Sequence, residues 1–368
     1  MISFPDNTLK RDNRLSGSVT WQSPSNIALI KYWGKHGIQL PNNQSLSFTL
    51  NNSLTKSSIE YYYSKDLTDP SLIFRFEGKE NQVFKKKIEK FIKSVYDFFP
   101  FLKNTHLTID SSNTFPHSSG IASSASSMSS IALGLCSIEN HIFNNLNNTS
   151  DFFRKASFIS RLGSGSASRS VFGGFTIWGK TNVSEDTSDE FAVPIHDSIS
   201  PEFNDLYDAI LIVASGKKQV SSTMGHQLMN DHPFAVSRFL QANQNIETIF
   251  AALKSGDWDT FIRIIENEAM SLHAMMMTSN PSFMLLKPES LAILEKIKDL
   301  REQKKMKVCF TIDAGPNIHL LYPSENRNEV KRFIEGNLIE HCENNRWIDD
   351  KLGKGPVRTQ NIKNEDKI

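Results

Sequence analysis

The sequence predicts a mixed α/β (α+β) chain organised in two domains, and three observations predict it. The 368 residues exceed what a single hydrophobic core usually organises. Strand-like runs alternate with amphipathic helices through the first half. Long helices then surround short apolar strands in the second half. The change falls near residues 185–205, just beyond a polar, acidic stretch at 180–190. This divides the chain into residues 1–195, residues 196–345 and a charged tail at 346–368.

In chain order, residues 19–21 and 28–33 read as strands around the turn Ser23-Pro24-Ser25-Asn26. Residues 46–50 and 59–63 read as further strands, with Asn51-Asn52 as the turn. Ile88, Phe91, Ile92, Val95 and Phe99 form the stripe of a helix over 84–99. A short strand at 107–110 leads into a serine-rich turn and a second helix. Its stripe is Ile121, Ala122, Ala125, Met128, Ile131, Ala132 and Leu135. Asp151 caps a third helix running to about 162, and a strand follows at 175–178. Beyond an apolar strand at 209–214, helices are expected at 226–240, 245–255, 258–277, 288–300 and 329–339. Strands are expected at 308–312 and 318–322.

Composition excludes several functions. With 41 basic and 40 acidic residues the formal net charge is +1, so no long-range field draws nucleic acid or an anionic membrane. Any anion site is local. No window approaches a membrane span, and residues 1–16 hold no apolar signal-peptide core. Cys136, Cys309 and Cys342 make neither a metal spacing nor a disulfide framework, which suits a reducing, cytoplasmic setting. Neither a P-loop nor a dinucleotide fingerprint is present, and no zinc motif occurs. His226, His273 and His319 read as hydrogen-bonded structural groups rather than ligands.

Four segments carry chemistry. His117-Ser118-Ser119-Gly120-Ile121-Ala122-Ser123-Ser124 puts small residues and hydroxyls at a helix start, where free N–H groups and the dipole suit phosphate. Tight packing alone also produces such a start. Lys31-Tyr32-Trp33-Gly34-Lys35, preceded by Asn26, gathers two lysines and a phenol at a strand end. They read either as phosphate ligands or as solvated charges. Gly163 to Ser170 is a loop of small residues ending near Arg169, whose guanidinium can clamp a carboxylate or phosphate or simply lie at the surface. Asp313-Ala314-Gly315-Pro316-Asn317 is a tight turn with one acidic group, and an aspartate there is often only a turn former.

Together, in order and spacing over about residues 17–325, these segments resemble the mevalonate diphosphate decarboxylase family, a branch of the GHMP small-molecule kinase superfamily. The resemblance implies a two-domain GHMP-kinase-like fold with the active site in the cleft between domains. It implies ATP- and Mg²⁺-dependent phosphorylation of the 3-hydroxyl of mevalonate 5-diphosphate. Loss of phosphate and CO₂ then gives isopentenyl diphosphate. It assigns catalysis to Asp313, Arg169, Lys31 and Asn26. It assigns the ATP phosphates to Ser119, Gly120, Ala122, Ser123 and Ser124, with Asn113 as a nucleotide-side candidate and Ser124 as a possible Mg²⁺ contact. Tyr32, Lys35, Ser164, Ser166 and Ser222, with Arg169, fall to the substrate. A cytoplasmic homodimer with small-molecule partners is implied as well. The family often has Thr-Ala-Ala-Gly-Leu in place of residues 117–121 and cysteine in place of Ser168, and the extension beyond 344 lies outside the resemblance. The alternatives are a mevalonate 5-phosphate decarboxylase, a GHMP kinase without decarboxylation, and a catalytically silent ligand sensor.

Overall fold

The computed structural model describes residues 14–116, 121–216 and 222–363. The first half supplies β1 (Arg14–Ala28), β2 (Lys35–His36), β3 (Leu40–Pro41), β4 (Ser45–Ser64), β5 (Leu72–Phe76), β6 (Lys79–Glu80), α1 (Gln82–Ser94), β7 (Thr105–Asn113), α2 (Ser123–Phe143), α3 (Thr149–Gly163), β8 (Phe175–Trp178) and β9 (Ala192–Pro194). The second half supplies β10 (Leu206–Leu211), α4 (Ser222–Gln227), α5 (Ala235–Ser255), α6 (Trp258–Met277), α7 (Pro288–Lys304), β11 (Cys309–Thr311), β12 (Ile318–Pro323), α8 (Arg327–Phe333), β13 (Trp347–Lys351) and β14 (Val357–Lys363).

The larger sheet runs β14-β1-β4-β7-β5-β6, with β8 on β4 and β9 on β8. The smaller runs β11-β12-β10-β13. Both turns expected in the first half are instead irregularities inside long strands. β1 passes straight through Ser23–Asn26, and its pairing jumps from Pro24 opposite Leu54 to Asn26 opposite Thr49. Proline has no N–H to give to the ladder, so the break falls there as a bulge rather than as a reversal. β4 likewise continues through Asn51 and Asn52. Its later half alternates Ile59, Tyr61 and Tyr63 into the core while pairing β7, and its earlier half pairs β8.

The serine-rich helix α2 is buried nearly all round, not along one stripe. Its serines dock on the sheet: Ser126 pairs with Thr55 (2.6 Å), Ser130 with Ser57 (2.7 Å), and Ser137 accepts from Trp21 Nε1 (2.9 Å). A Cβ on Gly134 would meet Ile59, so glycine lets helix and sheet close up. α3 starts two residues ahead of Asp151, capped by Asn148, whose side chain accepts from Ser150 and Asp151 N–H. In the second half, Pro233 separates α4 from α5, and α5 then runs unbroken to Gly256, which closes it at φ +79°. Ile27, Phe48 and Phe175 of the first half share one apolar core with Phe203, Ile249 and Phe261 of the second.

The charged tail expected at 346–368 is ordered structure up to Lys363. β13 joins the small sheet and β14 pairs with β1 at the edge of the large one. The charges are accommodated individually. Asp349 pairs with Arg327 (2.9 Å) and Lys331 (2.6 Å). Asp350 is buried, and its carboxylate accepts from Asn51 N (2.9 Å), Asn52 N (2.8 Å) and Ser53 Oγ (2.6 Å). A strand of the small sheet thereby caps the irregular turn of β4 in the large one. Asp350→Ala removes the acceptor of three backbone donors, the N–H groups of Asn51, Asn52 and Lys351, and we expect it to destabilise the chain by about 3 kcal/mol. Urea unfolding measures this, and a loss under about 1 kcal/mol would show that the clamp is dispensable.

Candidate active site

A cavity of about 1480 Å³ opens between the halves. The start of α2, the turn at Gly165–Val171 and the segment after β1 line one side. α4, α6 and the Asp313 turn line the other. Lys31, Lys35, Lys87, Lys90, Arg161 and Arg169 border it against Asp97, Glu190 and Asp313. A chain of net charge +1 therefore holds a locally cationic cleft.

Lys31 is the centre of this cleft and is only 1% exposed. Its ammonium donates to Asp313 Oδ1 (2.7 Å) and to the Ala28 carbonyl (2.6 Å). Its backbone N–H donates to Glu268 Oε2 (2.9 Å), and its carbonyl accepts from Asn43 (3.0 Å). Glu268 is itself buried on α6 and is held by the Arg238 guanidinium and by Asn245 Nδ2 (2.7 Å). His273 Nε2 donates to the Asp313 carbonyl (3.1 Å), and Gly315 N–H donates to the same oxygen (2.7 Å). The turn at 313–317 is thus more than a turn former, because its carboxylate reaches across to the other half.

Arg169 forms the second centre. Its Nε donates to Asn26 Oδ1 (3.2 Å), and the Asn26 amide donates onward to Ser170 Oγ (2.7 Å) and the Ser166 carbonyl (3.0 Å). The guanidinium lies 5.7 Å from the Trp178 ring. It is 2% exposed, yet among the described residues Nη1 has no hydrogen-bond partner. Burial lowers its pKa to about 10, opposed by Asp313 and Tyr32, so it stays charged at neutral pH. A buried cation with an open donor is an unfavourable arrangement that an anionic ligand would relieve.

Tyr32 packs edge-on against Trp178 (4.7 Å between centroids), and its buried hydroxyl also lacks a partner among the described residues. Burial pushes this phenol well up, so it acts as a donor and not as a base. Lys35 is held by Gln39 Oε1 (2.9 Å), and partial burial lowers its pKa. Ser123, Ser164, Ser166 and Ala122 border the cavity, as does Ser124, whose hydroxyl lies 3.4 Å from that of Ser164. Asn113 does not join them; its side chain accepts from Thr55 (2.8 Å) within the sheet. Ser119 and Gly120 lie outside the described residues, and Ser222 is described only as the first residue of α4.

Three site residues were missed in the sequence. Glu268 had a signal, an acid inside the apolar stripe Ile264, Ile265, Ala269 and Leu272 of α6. Arg161, donating to the carbonyls of Glu190 (2.7 Å) and Ile38, had none. His226 is a structural, hydrogen-bonded group as expected, but it also borders the cavity.

Two buried histidines link the site to acid stability. Burial, with repulsion from Lys35 and Arg169, lowers His226 to about 3. Burial lowers His273 to about 4 against the pull of its bond to the Asp313 carbonyl. An unfolded histidine titrates near 6.5, so below that pH the unfolded chain takes up protons that the folded one refuses. Stability is therefore complete above pH 6.5 and falls towards the folded values. Between pH 6.5 and 5 the loss should be about 1.5 kcal/mol smaller in His273→Asn than in the native chain. Urea titrations at the two pH values test this, and equal losses would mean that His273 is not held neutral.

Comparison with known proteins gives this geometry a context. A family model described as the diphosphomevalonate decarboxylase-like N-terminal domain matches residues 23–190. A second, the mevalonate 5-diphosphate decarboxylase C-terminal domain, matches residues 209–367, so the extension beyond 344 belongs to the matched region after all. A diphosphomevalonate decarboxylase from Ganoderma lucidum is 31% identical over 338 residues, covering 86% of this chain and 81% of that protein. The solved mevalonate diphosphate decarboxylase from Staphylococcus aureus superposes with a TM-score of 0.80 at 28% identity, over 94% of this chain and 99% of that one. A solved chain designated MDDEF, in complex with MVAPP, AMPPCP and magnesium, gives a TM-score of 0.77 at 28% identity with the same coverage. With both halves matched and relatives aligned over most of their length, this chain belongs to the diphosphomevalonate decarboxylase family.

Proposed function

We propose that the protein catalyses the ATP-dependent decarboxylation of mevalonate 5-diphosphate, giving isopentenyl diphosphate, ADP, phosphate and CO₂. The observation that carries this reading is the buried Arg169 with its open Nη1, in the same cavity as the Lys31–Asp313 pair. Phosphorylation alone needs an acceptor hydroxyl and a cation. A buried guanidinium beside them is what a carboxylate needs if it is to stay ionised until it leaves as CO₂.

Each residue then has a task. Arg169, oriented by Asn26, holds the substrate carboxylate. Asp313 sits at the 3-hydroxyl and accepts its proton as the new O–P bond forms, since an alcohol is far too weak an acid to transfer it to a carboxylate beforehand. The same negative charge favours the carbon where positive charge develops as phosphate departs. Lys31 offsets charge on the phosphoryl group in transfer. Tyr32, Lys35, Ser164, Ser166 and Ser222 take the 5-diphosphate. Ser119, Gly120, Ala122, Ser123 and Ser124 take the ATP phosphates, the last two from the start of α2. Asn113 is left out, because its side chain is engaged with Thr55.

Magnesium fits the residues present. Among the described residues no group of three His, Cys, Asp or Glu could hold a metal, but this ion needs only one or two protein oxygens beside phosphate and water. Ser124 Oγ, at the edge of the cavity, is a suitable oxygen. When bound, the ion neutralises phosphate charge. No helix among the described residues is long and apolar enough to cross a membrane. A cytoplasmic homodimer completes the reading.

Product analysis tests it. ADP and CO₂ are measured with mevalonate, its 5-phosphate and its 5-diphosphate, each with ATP and Mg²⁺. We expect equal amounts of ADP and CO₂ from the diphosphate alone. CO₂ from the monophosphate, or ADP without CO₂, would overturn the reading. In the same assay Arg169→Gln should lower CO₂ release by about 100-fold or more while the melting temperature holds or rises, because the variant removes an unsatisfied buried charge. A large drop in melting temperature would make Arg169 a structural residue.

A further inference from the structure

The substrate-side residues Tyr32 and Lys35 flank a short segment whose conformation is unusual. Gly34 lies at φ +97°, and a Cβ there would stand 2.9 Å from the Phe239 ring. The segment between them packs on the other half of the molecule through Trp33 and is hydrogen-bonded to it through a histidine ring. His226, from α4, accepts the Gly34 N–H on Nδ1 (3.0 Å). The imidazole is wedged between Tyr32 (4.3 Å between centroids) and Trp33 (4.8 Å), and is 7% exposed. Behind it, a Cβ on Gly225 would collide with the Trp33 indole, so α4 closes tightly on this segment. Other anchors share the work: the Gly34 carbonyl accepts from Asn42 N–H (3.4 Å), and Trp33 packs in one apolar cluster with Met229, Leu272 and Met276. Lys31 N–H is bound to Glu268, and Arg161 holds the Ile38 carbonyl.

We propose that His226 is a positioning residue. Its neutral imidazole, by accepting the Gly34 N–H, holds the segment at 32–35 in the shape in which Tyr32 and Lys35 together receive the anionic end of the substrate. A protonated ring has no lone pair on Nδ1 to accept this bond. It would also set a third cation beside Lys35 and Arg169. Burial and those two cations hold the ring neutral, which keeps the acceptor available through the working pH range. Because Nδ1 accepts, the ring's proton resides on Nε2. The role is one of holding rather than of proton transfer. It rests on the function proposed above only for the identity of the anion.

Two variants separate acceptor from bulk. His226→Leu fills much of the space without an acceptor, whereas His226→Asn places Oδ1 near the position of Nδ1. In the full-length protein, His226→Leu should raise KM for mevalonate diphosphate about tenfold, the order expected for one lost hydrogen bond, with kcat and KM for ATP within about threefold. His226→Asn should restore most of the loss. An unchanged KM in His226→Leu, or equal losses in the two variants, would overturn the proposal. A second readout needs no substrate. Amide hydrogen exchange over residues 31–41 should be faster in His226→Leu than in the native chain, and near native in His226→Asn. If the native enzyme releases no CO₂ from the diphosphate but this exchange pattern holds, the functional reading has failed and the positioning role stands. If exchange is the same in all three proteins, the positioning role has failed whatever the substrate.

Discussion

One buried contact organises the cleft, the ion pair between Lys31 of the first half and Asp313 of the second. An ammonium group that is almost wholly out of water cannot remain charged without partners, and breaking such a pair leaves an uncompensated charge. Every neighbouring feature serves that requirement. The Ala28 carbonyl takes a second ammonium proton, and Glu268 with Asn43 fixes the backbone on either side of the side chain. Glu268 in turn needs Arg238 and Asn245. A polar network thus extends from the end of β1 through α6 to α5, beside the apolar core that the two halves share.

Arg169 stands in contrast. Lys31 has two acceptors within the chain, whereas among the described residues the guanidinium, 143 residues from its partner Asn26, retains an open Nη1. Folding alone would favour an apolar residue of similar size at this position. The two cations therefore divide the work. One is locked into the protein, and the other is held ready by Asn26 and Trp178 for something the protein does not itself contain. On the function proposed above, that division is what separates a decarboxylase from a phosphotransferase built on the same cleft.

Much of this was legible in the chain. The four chemical segments are short and contiguous, so their identities survive without knowledge of the fold, and all four contribute described residues to one cavity. Strong helical periodicity placed α6 at its observed bounds and found α1, which however ends at Ser94, so that Val95 and Phe99 are buried beyond it. The failures have physical causes. Ser23-Pro24-Ser25-Asn26 and Asn51-Asn52 have turn composition, but long-range pairing of β1 with β4 turns both into irregularities within continuous strands. The charges of residues 346–368 suggested a solvated tail, yet Asp350 is buried because backbone N–H groups of β4, 299 and 298 residues away, satisfy it. Ser123 and Ser124 border the cavity, while the later α2 serines, Ser126 and Ser130, bond to the sheet, a docking role that the sequence does not reveal. The contribution of His226 depends on α4 meeting the Gly34 backbone, which no local pattern encodes.

The central claim is that Lys31 and Asp313 work as one unit across the cleft, and a double-mutant cycle on turnover tests it most directly. Lys31→Met, Asp313→Asn and the double variant would be compared by kcat, with folding checked by melting temperature. Each single change should lower kcat by about 1000-fold, and the double variant should be little worse than either, as for groups that act together. Losses that multiply in the double variant, or a Lys31→Met enzyme that keeps most of its turnover, would contradict the account.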